Sequence, residues 1–108
     1  MTTLSVCEKN GILVVDSRLI AQELGIKHGD WMRNVVAKYQ SQTEQAFGQL
    51  RFENGTVTNS VGAVNKVRFV YLTEEQSLFF MTLSRNTERV VQCKIQLVKA
   101  FSLSLIHI

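Results

Sequence analysis

The stretch DSRLIAQELGIKHGDWMRNVVAKY, residues 16–39, decides how this chain is read. Asp16 and Ser17 are N-cap types placed before Leu19, Ile20 and Leu24, and Gly25 stands where a left-handed residue closes a short helix. Lys27-His28-Gly29-Asp30 reads as a tight break. Beyond it Met32, Val35, Val36 and Tyr39 recur at i, i+3, i+4 and i+7, which predicts a second helix with one apolar side. Its other side carries Arg33, Asn34 and Lys38. Two short helices around a glycine break form a helix-turn-helix pattern. In DNA-binding proteins of that kind the second helix lies in the major groove, where Arg and Asn match guanine and adenine edges. The same pattern occurs in folds that bind no nucleic acid, so spacing alone leaves both readings open.

Outward from this stretch the chain alternates between strand and helix signals. Upstream, LSVC (residues 4–7) and ILVV (residues 12–15) are β-prone runs separated by Glu8-Lys9-Asn10-Gly11, whose Asn-Gly is a tight-hairpin signal because both residues tolerate positive φ. Downstream, residues 40–48 are polar around Ala46 and Phe47, and either continue the second helix or form a separate turn. From Gln49 to Thr73 apolar and polar residues alternate in strand fashion. Asn54-Gly55 and the segment Gly62 to Asn65 read as turns there, giving two or three short antiparallel strands. A hairpin after a helix-turn-helix is the layout of a winged helix. Lys66 and Arg68 are then wing contacts to phosphates, or else ordinary solvent-facing strand residues. Thr73-Glu74-Glu75-Gln76 is a capping box opening a helix through Leu83, apolar over most of its girth and expected at the centre of the core. Asn86 or Thr87 then caps a last helix, about residues 87–101, whose broad face holds Val90, Val91, Ile95, Leu97, Val98 and Phe101. The expected fold class is α+β and winged-helix-like: a helix-turn-helix with small antiparallel β-hairpins and two C-terminal helices, in a single domain over residues 1–102.

Composition narrows the function without choosing it. With 108 residues and 45% hydrophobic content the chain buries one core. A net charge of +3 permits a polyanionic partner and does not compel one. Basic charge recurs outside the helix pair, at Lys66 and Arg68 with no acid between residues 56 and 72, and at Arg85, Arg89, Lys94 and Lys99 against Glu88. Cys7 and Cys93 have no CxxC partner and are expected as buried free thiols in a reducing compartment. No signal peptide or membrane span is visible, so the expected location is the cytoplasm, with no membrane partner. Asn54-Gly55-Thr56 matches a glycosylation sequon and is read as a turn. His28 with scattered acids supplies neither a metal site nor a nucleophile and its base, and the dispersed glycines form no phosphate-binding loop. No catalytic residue, metal or cofactor is expected, and the chain does not read as an enzyme.

Taken together, VDSRLIAQELGIKHGDWMRNV (residues 15–35), YLTEEQSLFFM (residues 71–81) and a last helix with Thr87, Lys94 and Phe101 resemble the Rha family of phage regulatory proteins, over roughly residues 11–102. The most specific part is Ser17-Arg18 with Ile20-Ala21, then Gly25, Lys27-His28 and Arg33. The chain departs from the family pattern at Gly29-Asp30-Trp31 and in the padding SVGAVN, residues 60–65. Trp31 either packs beneath the helix, the favoured reading, or stands exposed as a contact. The resemblance implies a bacterial phage or prophage protein that regulates phage or host gene expression by binding DNA.

On this reading Arg33 and Asn34 reach base edges of double-stranded DNA. Arg18, Lys27, His28 and Lys38 mainly hold phosphates, with Lys66 and Arg68 as wing contacts. A homodimer fits, because one short helix makes too few contacts for high specificity and a two-fold protein on a palindromic site doubles them. The alternative is an antirepressor-type module that binds a repressor protein through the last helix or the first hairpin and never touches DNA. A structural phage component is a third reading. Residues 103–108, LSLIHI, match the translation of CTG TCT CTT ATA CAC ATC, a transposon end used in sequencing libraries. They are expected to be a non-native tail, with the natural chain continuing past Ser102.

Overall fold

Local chemistry sets the first turn and helix as the residues foretell, while the first strand lies two residues later than expected and takes in Glu8 and Lys9. Asn10 and Gly11 take φ of 52° and 79°, a two-residue turn whose twist suits the flanking strands. It pairs β1 (Val6–Lys9) with β2 (Ile12–Asp16) in antiparallel register from Val6↔Val15 to Lys9↔Ile12. Helix α1 (Ser17–Leu24) follows at once, its first turn capped by the Asp16 carboxylate, which accepts from the Arg18 N–H at 2.8 Å. Gly25, at φ 72°, closes it and donates its N–H to the carbonyls of Ala21 and Gln22. The computed structural model of the chain describes residues 4–58, 60–84 and 88–106, with side chains described as far as Ser102.

The second helical run starts earlier than its periodicity predicts. Gly25-Ile26-Lys27 is break enough, and α2 (His28–Trp31) opens with the Lys27 carbonyl accepting from the Trp31 N–H at 3.1 Å. His28-Gly29-Asp30 is therefore helix, not turn. Met32–Val36 continue as a wider π-helical segment, where the Ala37 N–H reaches the Met32 carbonyl at 2.8 Å. A turn at residues 37–39 leads to a separate helix, α3 (Gln40–Phe47). The amphipathic pattern survives: Trp31 and Val36 are buried, Met32, Val35 and Tyr39 half-buried, and Arg33, Asn34 and Lys38 exposed. Trp31 is only 1% exposed, packs edge-on against Phe80 and donates its indole N–H to Ser84 Oγ at 3.4 Å, so it supports the helix from beneath.

Asn54-Gly55 is not a turn. β3 (Arg51–Thr58) runs straight through it and pairs antiparallel with β4 (Val64–Leu72), from Arg51↔Tyr71 to Thr58↔Val64. The connection lies further on, around Gly62 at φ 84°, so this region holds two strands. What position 55 requires is the absence of a side chain: a Cβ there would lie 3.0 Å from Arg18 Nη1 and 3.2 Å from Phe69 Cε1. β4 also pairs with β2, but only through Val15↔Leu72 and Asp16↔Tyr71. The antiparallel sheet therefore has the order β1-β2-β4-β3.

Helix α4 (Glu74–Thr82) begins with the foreseen capping box. Thr73 Oγ1 accepts from the Gln76 N–H at 3.3 Å, and Gln76 Oε1 accepts from the Thr73 N–H at 3.0 Å. Helix α5 (Glu88–Ile106) passes the expected end at Phe101. The foreseen caps Asn86 and Thr87, together with Arg85, lie outside the described residues, as do His107 and Ile108. Ile20, Trp31, Val70, Leu72, Phe80 and Leu97 meet in one core between the sheet and the helices. Both cysteines are free, yet only Cys93 is buried. Cys7 is exposed, contrary to expectation, because strand alternation on β1 turns Val6 toward the core and Cys7 away. Among the described residues no helix is long and apolar enough to cross a membrane.

Candidate nucleic-acid interface

The first turn of α1 joins three elements. Ser17 is fully buried, and its Oγ accepts from the Val70 N–H of β4 at 3.0 Å while lying 2.9 Å from His28 Nε2 of α2. Burial pushes the His28 pKa down, Asp16 opposes this and Arg18 adds to it. In the neutral ring with its proton on Nδ1, Nε2 accepts the Ser17 hydroxyl proton, completing a chain from the sheet to the helix.

Arg18, one residue on, is held from two sides. Asp16 grips its guanidinium through Nε, 3.1 Å from each carboxylate oxygen, and through Nη2 at 2.7 Å. The hydrogen bond to Asp16 raises the Arg18 pKa. The same guanidinium stacks 3.7 Å from the centre of the Phe69 ring, in the space that Gly55 leaves open. Its charge is largely balanced within the fold.

Between the helical run from His28 and the β3–β4 hairpin lies an open groove of about 710 Å³. Arg18, His28, Arg33, Lys66 and Arg68 line it, with Met32, Phe52, Val57 and Val67 as apolar surface and no acidic residue in its wall. The Arg68 guanidinium sits 4.1 Å from the centre of the Phe52 ring. Lys66 and Arg68 share one strand face, since they alternate with Val67. Among the described residues neither has a carboxylate partner; the ion pairs there are Arg18 with Asp16 and Arg33 with Asp30. The Arg33 side chain is 71% exposed and that of its partner Asp30 47%, so the pair is open to solvent and Arg33 is free to exchange partners.

Lys27, Asn34 and Lys38 do not line this groove. Lys27 is exposed just before α2, Asn34 is exposed on the π-helical segment, and Lys38 lies 5.5 Å from the Tyr39 ring beside a separate hollow with Gln40 and Glu44. The basic residues of α5 go elsewhere: Arg89 donates to the carbonyls of Glu23 and Gln22 and thus closes the C-terminal end of α1. Ser17, Phe52 and Gly55 escape sequence reasoning as contributors. The alternation of Leu50 and Phe52 is not continued in phase by Val57, so no local signal marks Gly55 as strand. Among the described residues no cluster of His, Cys, Asp and Glu is arranged to hold a metal ion.

The wall of the groove is thus cationic and partly apolar, with donors from both a helix and a hairpin. It suits an extended polyanion better than a small neutral ligand. The sequence model of the family described as phage regulatory protein Rha matches residues 15–103 of this chain. No curated protein and no solved structure matches it.

Proposed function

The chain belongs to the Rha family of phage regulatory proteins, and on that premise we propose that it acts by binding duplex DNA, as a winged-helix-like reader whose groove seats one sugar–phosphate strand. The observation that carries the reading is the acid-free groove, to which α2 contributes His28, the π-helical segment after it Arg33, and the hairpin Lys66 and Arg68. In this mode the run from His28 to Val36 lies in the major groove with Arg33 and Asn34 toward base edges. Arg33 leaves Asp30 for an edge or a phosphate, an exchange that loses little because an exposed ion pair is worth about 0–1 kcal/mol. Lys66, Arg68 and His28 hold phosphates, and Lys27 and Lys38 do so from the ends of the helical run. Arg18, committed to Asp16 and Phe69, chiefly fixes the hairpin against α1. The helical run is short, so specific recognition calls for two copies on a two-fold site.

Fluorescence anisotropy against mixed-sequence duplex tests this. Affinity is expected to fall steeply with salt, and Lys66→Ala and Arg68→Ala each to flatten the log–log slope by about one unit. On a selected sequence Arg33→Ala is expected to weaken binding by about 1–3 kcal/mol. Absence of retention on DNA at low salt would refute the reading and favour a module that binds a repressor protein. That second reading draws on Val91, Ile95 and Val98, which leave an apolar stripe exposed along α5.

A further inference from the structure

We propose that the tip of the β3–β4 hairpin enters the minor groove of the bound duplex, with Val61 and Val64 as an apolar wedge; the inference rests on the duplex-binding reading above. β2 supports β4 only at Tyr71 and Leu72, so the hairpin from the pair Phe52↔Val70 out to Thr58↔Val64 is a two-stranded arm with no other strand beside it. At about 3.3 Å per residue it is about 20 Å long. Its end is apolar where turn chemistry favours polar residues: Val57 is 48% exposed, Val64 65% and Val61 85%. The whole stretch from Asn54 to Thr73 contains no acid, and Lys66, two residues from Val64 on β4, continues the groove wall toward the tip.

These features fit together on DNA. The base of the arm flanks the helical run assigned to the major groove, so its length carries the tip across the intervening backbone to the adjacent minor groove, about 7.5 Å deep. Lys66, Thr56 and Thr58 then meet sugar and phosphate on the walls, while the valines press on the floor, where apolar side chains unstack and bend base steps. A protein partner would also cover valines, but it gives no reason for cations and hydroxyls without a carboxylate over the outer part of the arm, from the pair Asn54↔Arg68 to the tip.

The test compares a mixed-sequence duplex of about two helical turns with the same duplex carrying diaminopurine for adenine. That change adds an amino group to the minor-groove floor and leaves the major-groove edge as it was. The parent protein is expected to bind the substituted duplex about tenfold more weakly. The double variant Val61→Ser, Val64→Ser is expected to bind the unsubstituted duplex about tenfold more weakly than the parent, and to be indifferent to diaminopurine. Equal binding of both duplexes by the parent, or parent-like affinity of the double variant, overturns the wedge; if Lys66→Ala and Arg68→Ala still weaken binding, the groove reading survives that failure. A parent that binds neither duplex at low salt sinks both proposals. Should the double variant lose its melting transition, the response of the parent to diaminopurine alone decides.

Discussion

At Ser17 a single hydroxyl serves two elements, accepting from the Val70 N–H and meeting the ring of His28, so the helical run that lines the groove is positioned by a hydrogen bond with the sheet. The state of that ring has a consequence for stability. The folded protein holds His28 below the ordinary value of 6.5, because burial disfavours the charged ring. Above that value both folded and unfolded chains carry a neutral histidine and His28 adds no pH dependence. As pH falls through 6.5 the unfolded chain takes up a proton that the folded one resists, so stability drops through and below that pH. Urea midpoints between about pH 8 and pH 5 are expected to show this fall, and His28→Gln to make it shallower. An unchanged slope in the variant would mean that other groups carry the dependence. The family resemblance marks Ser17-Arg18 as a pair, but the purpose of the pair appears only when β4 is in place.

Among the elements, α1 is bounded by chemistry that residues 16–25 carry themselves: the Asp16 cap and the left-handed Gly25. Tertiary structure adds a second demand at Gly25, since a Cβ there would lie 2.8 Å from Cζ of Arg89, which reaches across from α5 to the last carbonyls of α1. Gly25→Ala is therefore expected to destabilise by at least about 1 kcal/mol from backbone strain alone. The displacement of Arg89 adds to this. A fall in Tm of about 4–8 °C or more is expected in a thermal melt. A Tm equal to that of the parent would show that the chain relaxes without loss. Gln76 is a comparable case. Its place in the capping box is legible three residues from Thr73, yet its amide also donates to the Gly48 carbonyl at 2.9 Å, tying the exit of α3 to α4.

Over the whole molecule the two thiols report separately on surface and core. Cys7 is exposed on an edge strand, whereas Cys93 is buried in α5 with its pKa pushed up to about 11, chiefly by burial. A thiol reagent is expected to label Cys7 promptly in the folded protein, and Cys93 only as fast as the core opens, with denaturant accelerating the second phase. Two equally fast phases without denaturant would show that α5 does not hold the core shut. The sequence by itself determined the Asn10-Gly11 hairpin, the Asp16 and Gly25 ends of α1, the Thr73–Gln76 box and the α+β alternation. Each of these depends on dihedral preferences and hydrogen bonds among residues a few positions apart. Only the tertiary structure decided that Asn54-Gly55 is strand, that Cys7 faces solvent, and that Arg18, His28, Arg33, Lys66 and Arg68 border one groove. These outcomes depend on partners distant along the chain, as Val70 is from Ser17 and Phe69 from Arg18, and no local preference encodes which distant surface a residue will meet.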